Sequence, residues 1–331
     1  MRISLFGLIG LALLSASCDE TFSAGRNRPR GLLPVDQRNP IILINDSAKE
    51  NWQGEYAMLL ANSGGPKLVA IIVGTSPPWP DSAANIERWR KMVKAARDSG
   101  MRDIPDPVTS TGPPLVRPAS GAIDETQPNR SEGARAIVEE SKRLSLPYRP
   151  LVVVVGTRLT DVADAYLMDE TVTERVVVVA SVGEVATSGG TMERPNGEMD
   201  PWADSIVTSQ FRYIQVSARY NSRDDVPDAL LAELPSTNSF VDFIKEKRPD
   251  VWDLPQAADQ VGPAAVGIPD FVTEVEQVAP ERLVAAGATV GPRLLRDPTG
   301  KSLLVRQISA AAANERFRQM LLDPRTFGAD R

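Results

Sequence analysis

Five short apolar runs, rich in β-branched residues, punctuate the first two thirds of the chain: Ile41–Asn45 (IILIN), Leu68–Gly74 (LVAIIVG), Leu151–Gly156 (LVVVVG), Val176–Ser181 (VVVVAS) and Tyr213–Ala218 (YIQVSA). They show almost no polar alternation, so strands built from them must be covered on both faces. Helical patterns fall between them, at Trp52–Asn62, Ala83–Ser99, Glu132–Ser145, Thr160–Met168 and Ala203–Phe211. This order predicts an α/β fold, a three-layer, mostly parallel sheet with helices on both faces and right-handed crossovers. Ligands of such sheets bind beyond the carboxyl ends of the strands, so the residues that follow each run carry the functional interest.

Met101–Arg130 is rich in proline and polar residues, has no apolar period, and is expected as a surface excursion over that edge. Further on, Leu283–Ile308 reads as two or three strands with small mixed C-terminal elements, and Ala310–Leu322 as a closing helix. With no internal repeat or interior linker, residues 40–331 are expected to form one domain.

Residues 1–17 (MRISLFGLIGLALLSAS) place an arginine before a short apolar run and small residues, the layout of a signal peptide. Cys18 follows at once and is the chain's one cysteine, an arrangement resembling a bacterial lipobox. The expectation is a lipidated Cys18, a flexible tether over 18–39, and a membrane-anchored lipoprotein of the bacterial cell envelope facing away from the cytoplasm.

Composition excludes much chemistry. The 331 residues contain no histidine, so Ser-His-Asp and Cys-His nucleophile systems and His-bearing zinc sites are ruled out. One cysteine closes no internal disulfide. A formal charge of −6 argues against nucleic acid as a partner. What remains is carboxylate, hydroxyl and carbonyl chemistry, and oxygen donors of this kind suit hard cations such as Ca²⁺.

Asp46, Glu50 and Asn51 gather such donors where the first strand meets the first helix. On their own they read as a helix cap and a first-turn acid. The segment IILINDSAKENWQGEYAMLLA with KLVAIIVGTS resembles the opening of the inosine–uridine-preferring nucleoside hydrolases, a strand followed by D-T-D-P-G-x-D-D and a helix. PLVVVVGTRLTDVADAYLMDETVTERVVVVASVGE is similar to that family's strand–G-P-L-T-N–helix–strand segment, and NGEMDPWADS to its E-F-N-x-x-x-D-P. The three occur in family order, and the resemblance covers nearly all of residues 39–322.

What the resemblance implies is carried over position by position. Asp46 falls on the aspartate that binds Ca²⁺ and activates water, while the family's first aspartate falls on Ile44 and is lost. Glu50 falls on a partner of the ribose hydroxyls, and Asn51 on a Ca²⁺ ligand that has lost its charge. Thr75 stands at the asparagine after the second strand; Glu198 matches a ribose-binding glutamate and Asp200 stands where asparagine is usual. A metal-ligating carbonyl falls on Val155 or Gly156, and the late calcium aspartate on Asp253 or Asp259. Trp202, inside the third motif, is the candidate for stacking on a base or sugar.

The resemblance thus implies hydrolysis of the N-glycosidic bond of a ribonucleoside, or a related glycoside, with bound Ca²⁺ as cofactor, and a homo-oligomeric assembly. The altered acidic cluster supports a second expectation, a lipoprotein of the same fold that binds a nucleoside or sugar without cleaving it. A third is a scaffold whose pocket is closed by Trp52 and Trp252.

Overall fold

The computed structural model describes residues 33–49, 52–181, 195–216, 232–234, 238–252, 258–281 and 292–329. The apolar runs form β1 (Ile41–Asn45), β2 (Leu68–Val73), β4 (Leu151–Val155), β5 (Val176–Ser181) and β6 (Arg212–Val216), with a short β3 (Pro107–Thr109) before β4. Helices α1 (Gln53–Asn62), α2 (Ser82–Asp98), α3 (Glu132–Leu144), α4 (Thr160–Met168) and the short α5 (Val172–Arg175) alternate with them. Then come α6 (Pro195–Glu198) and α7 (Pro201–Gln210), which precede β6. After β6 follow α8 (Ser239–Trp252), α9 (Ala258–Gly267), β7 (Val272–Pro280), β8 (Leu294–Arg296), β9 (Ser302–Ile308) and α10 (Ala310–Leu322).

The strands form one nine-stranded sheet in the order β3-β2-β1-β4-β5-β6-β9-β7-β8. Pairing is parallel from β3 through to β9, and β7 runs antiparallel to both β9 and β8. The chain goes outward from β1 to β2 and β3, then returns to place β4 on the other side of β1. Order therefore reverses between β1 and β4, the kind of position where ligands of open α/β sheets bind, beyond the carboxyl ends of the strands.

Side chains alternate across the sheet, and both faces are covered. Ile41 and Leu43 of β1, with Val152 and Val154 of β4, join a core that includes α1, α2, α8, α9 and α10. Ile42, Ile44, Val153 and Val155 join the opposite core, with α3, α4 and α7. Full burial of each such aliphatic side chain contributes about 1.5–3 kcal/mol, which accounts for runs without polar alternation. The packed chain starts before β1: Leu33 and Val35 are buried in the first core, so the tether expected over 18–39 overlaps packed chain at residues 33–39.

Three expectations are corrected. The 101–130 excursion contains β3, which pairs with β2 through Ile71–Pro107, Ile72–Val108 and Val73–Thr109. Its three residues are too few to leave a periodic signal. Strand β7 was not anticipated, because three acidic or amide side chains interrupt Val272–Pro280; it pairs on both edges through its backbone, with β9 and β8. Helices α8 and α9 were likewise unanticipated, α9 carrying Pro263 in its interior. Of the strands expected over Leu283–Ile308, β8 and β9 are present, and residues 282–291 lie outside the described residues. No helix among the described residues is long and apolar enough to cross a membrane.

Candidate functional site

β1 ends on Asn45, and the next residue, Asp46, stands at the carboxyl edge beside the reversal point. Its flanking strands end in the same three residues. Val73-Gly74-Thr75 closes β2 and Val155-Gly156-Thr157 closes β4, so both neighbours of β1 deliver a Gly-Thr pair to this edge. Gly156 is required by close packing. A Cβ there would lie 2.6 Å from Gln53 Oε1 and 2.9 Å from Asn45 Nδ2, the two atoms of a buried side-chain hydrogen bond of 2.7 Å.

Asp46 is 2% exposed and its carboxylate is held by donors on both oxygens. The Ser47 amide donates to Oδ1 at 2.6 Å and the Thr157 hydroxyl to Oδ2 at 3.1 Å. The Asn45 side-chain oxygen accepts the Asp46 amide at 2.7 Å, and the Trp89 indole donates to its carbonyl at 3.3 Å. Burial raises the Asp46 pKa above the usual aspartate value, and hydrogen bonding from Ser76, Ser47 and Thr157 offsets part of that. Ser76 faces the carboxylate from the loop after β2, although its hydroxyl makes no hydrogen bond of regular geometry among the described residues. Each carboxylate oxygen keeps acceptor capacity beyond the one donor described, enough for a water or a ligand hydroxyl.

Next to Thr157, the half-buried Arg158 spans the edge. Its Nη2 donates to the Gly112 carbonyl at 2.6 Å and to Thr75 Oγ1 at 3.3 Å. The proline-rich excursion is therefore fastened over the carboxyl edge, as expected. A second fastening is Asp200, whose Oδ2 accepts from the Leu115 amide at 2.9 Å and the Thr160 hydroxyl at 2.6 Å while Oδ1 caps α7 through the Ala203 amide. Burial raises the Asp200 pKa, the Thr160, Ala203, Leu115 and Arg158 donors and charge opposing it. A third lies below: Ser110 donates to Asp161 at 2.7 Å, and the Ser131 hydroxyl lies 2.8 Å from Asp161 and 2.7 Å from Asp164. Asp161 is also raised by burial, against the pull of Ser110, Ser131 and Arg158.

The expected site residues thus divide. Asp46, Thr75 and the Val155–Gly156 strand end converge on the reversal point, linked through Thr157 and Arg158. The Val155 side chain is core, which leaves only its main chain to the edge. Asp200 is engaged in capping and loop anchoring. The Trp202 indole donates to Thr126 Oγ1 at 3.0 Å, and Arg117 sits over its ring at 5.1 Å. Glu198 is exposed on α6. Cys18, Glu50, Asn51 and Asp253 lie outside the described residues; Asp259 is the second residue of α9. Thr157, Ser76 and Arg158 were not singled out from sequence, yet the shared V-G-T strand ending was a visible signal for this edge.

Ca²⁺ takes six to eight oxygen ligands, several of them carboxylate. Among the described residues no three acidic or cysteine side chains gather to hold a metal ion. Asp46 brings one carboxylate, already oriented by two donors. Asn51 and Asp253, expected to ligate beside it, lie outside the described residues, and the described residues alone do not make a calcium centre.

The sheet, its reversal point and the carboxyl-edge cluster define a nucleoside hydrolase-like α/β fold. Solved structures share it over most of the chain. They include an inosine–guanosine nucleoside hydrolase, with 14% identity, TM-score 0.61 and coverage of 85% of this chain and 98% of that one. The inosine–uridine-preferring nucleoside hydrolase of Bacillus anthracis matches with 13% identity, TM-score 0.62 and coverage of 86% and 99%. A purine-preferring ribonucleoside hydrolase from Gardnerella vaginalis matches at 15% identity, TM-score 0.57 and coverage of 87% and 98%. No family model matches the chain, and no curated protein matches it in sequence.

Proposed function

We propose that the carboxyl edge around Asp46 takes a ribonucleoside or related N-glycoside and hydrolyses its N-glycosidic bond. The observation that carries this reading is Asp46 itself: a buried, oriented carboxylate at the strand-order reversal of a fold shared with N-ribosyl hydrolases. A general base works best when its pKa approaches the working pH, and burial moves Asp46 in that direction. Asp46 accepts a proton from a water held on its free lone pair; that water attacks the anomeric carbon as the bond to the base breaks. In that transition state the sugar is oxocarbenium-like, and the negative charge of Asp46 lies on the side of the attacking water. Thr75 and Thr157 supply hydroxyls for the sugar. With no histidine in the chain, the leaving base takes its proton from solvent or from a carboxylic acid.

A second reading has its own observation. Arg158 brings a cation to this edge, bonded to Thr75, where a cationic transition state gains nothing from it. This favours a protein that binds the ligand and does not cleave it. Attachment to the membrane through a lipidated Cys18 belongs to the same proposal; Cys18→Ser should release the protein from the membrane fraction, and unchanged fractionation rejects it.

Ribose release from a panel of purine and pyrimidine nucleosides, with and without EDTA, decides between the two. Release supports the hydrolase, and its persistence in EDTA supports a metal-free route. Saturable binding without release supports the second reading. Neither binding nor release rejects the site.

A further inference from the structure

Arg158 is placed to do more than fasten a loop. Nη2 is used by Gly112 and Thr75, while Nε and Nη1 have no hydrogen-bond partner among the described residues and are not sealed from solvent. No carboxylate among the described residues lies within ion-pair distance of it. The acidic groups that feel its charge, Asp161 and Asp200, have hydroxyl and amide donors of their own. A half-buried guanidinium with open N–H groups attracts an oxyanion through charge-assisted hydrogen bonds. Here the Gly112 carbonyl holds one arm of the fork in place, so little side-chain freedom remains to be lost on binding. Its place in the fold adds the rest. Arg158 follows Thr157, whose hydroxyl is on Asp46, and it touches Thr75 at the end of the strand on the far side of β1.

We propose that Arg158 is a specificity residue that binds an oxyanion of the ligand, so that the preferred ligand is an anionic ribosyl compound, a phosphate monoester or a carboxylate, and not a neutral nucleoside. This rests on the proposed use of the Asp46 edge for a ribosyl ligand and names the class of that ligand. Nε–H and Nη1–H leave opposite edges of the guanidinium, so the oxyanion takes a charge-assisted bond from one of them, and the sugar lies toward Thr75, Thr157 and Asp46. A charge-assisted pair of this kind contributes a preference of roughly tenfold to a hundredfold over the neutral analogue, declining with added salt.

The test is calorimetric titration of the full-length protein with uridine, inosine, their 5′-monophosphates, orotidine, ribose 5-phosphate and inorganic phosphate, at low and high salt. The expected result is binding of one anionic class at least tenfold tighter than its neutral counterpart. The monophosphate and orotidine arms tell phosphate from carboxylate. The ratio should fall toward one in Arg158→Gln and be kept in part by Arg158→Lys, with circular dichroism confirming the fold of both. A ratio of one or less in the wild type, or a ratio undiminished in folded Arg158→Gln, overturns the inference while leaving the Asp46 site standing. Absence of binding by every ribosyl compound removes the site reading itself, and this inference with it.

Discussion

Thr157 and Asp46 are 111 residues apart, and the Thr157 hydroxyl donates to Asp46 Oδ2 at 3.1 Å across the point where strand order reverses. The bond exists because β4 returns to pair with β1 in parallel register, Ile44 opposite Val155, which sets the two strand ends side by side. Thr157→Val removes that donor while keeping the shape. It should cost about 1–2 kcal/mol of stability in urea unfolding, the usual cost of losing a buried hydrogen bond. The charged carboxylate loses a stabilising partner, so the Asp46 pKa rises further. The pH profile of binding or ribose release should therefore shift to higher pH, and an unshifted profile would separate Thr157 from Asp46.

The close packing under the site is testable at Gly156. Gly156→Ala places a Cβ 2.6 Å from Gln53 Oε1 and 2.9 Å from Asn45 Nδ2, on a hydrogen bond whose Asn45 also orients the Asp46 amide. Overpacking of this order costs about 1–3 kcal/mol. Thermal denaturation should show the loss, and ligand affinity should fall with it because Asp46 is displaced.

Away from the site, Lys247 on α8 donates to Glu55 Oε1 on α1 at 2.7 Å, with the lysine 2% and the glutamate 0% exposed, and its ammonium lies 4.8 Å from the Trp52 ring centre. Burial raises the Glu55 pKa and the lysine charge opposes it. Lys247→Met strands a buried carboxylate and should cost about 3–5 kcal/mol, whereas Glu55→Leu with Lys247→Met should recover most of that. Denaturant titration of the two variants checks it; a double variant as destabilised as Lys247→Met would contradict the pairing.

The buried acids set a pH dependence. Asp46, Asp161 and Asp200 are all raised by burial, so the folded chain keeps protons that the unfolded chain releases. Their contribution is complete below the ordinary aspartate value of about 4 and is lost as pH rises through the folded values. Carboxylates lowered by exposed partners, Asp297 beside Thr299 and Asp323 beside Arg325, act in the opposite sense and below that range. No imidazole titrates over the window. The thermal midpoint should fall as pH rises from about 4 toward neutrality, and Asp161→Asn should flatten the slope. A midpoint that climbs over this range would contradict the burial of these groups.

The central sheet was legible because each parallel strand is buried on both faces: Ile41 to Ile44 and Val152 to Val155 carry their structural role in their side chains. The strands β3 and β7 were not, since one is three residues long and the other is held by backbone pairing that leaves Glu274 and Glu276 outward or half-buried. At the site, Asp46 stood out through the resemblance of its segment, since its position after an apolar run reads by itself as a helix cap. Arg158 and Thr157 could not be assigned from the run alone, because their meaning depends on β4 coming back beside β1. Asp200 was read as a ligand in a polar loop; it caps α7 through Ala203, three residues on, and it anchors Leu115, a contact set by a segment 85 residues away.

The most direct test of the account is the affinity of full-length Asp46→Asn for the ribosyl compound that the wild type binds best, measured by titration alongside a circular dichroism spectrum. Asparagine keeps the size and one acceptor but not the charge, so the fold should survive and affinity should fall at least tenfold, with any ribose release lost. Wild-type affinity in a folded Asp46→Asn would contradict the placement of the ligand at this edge.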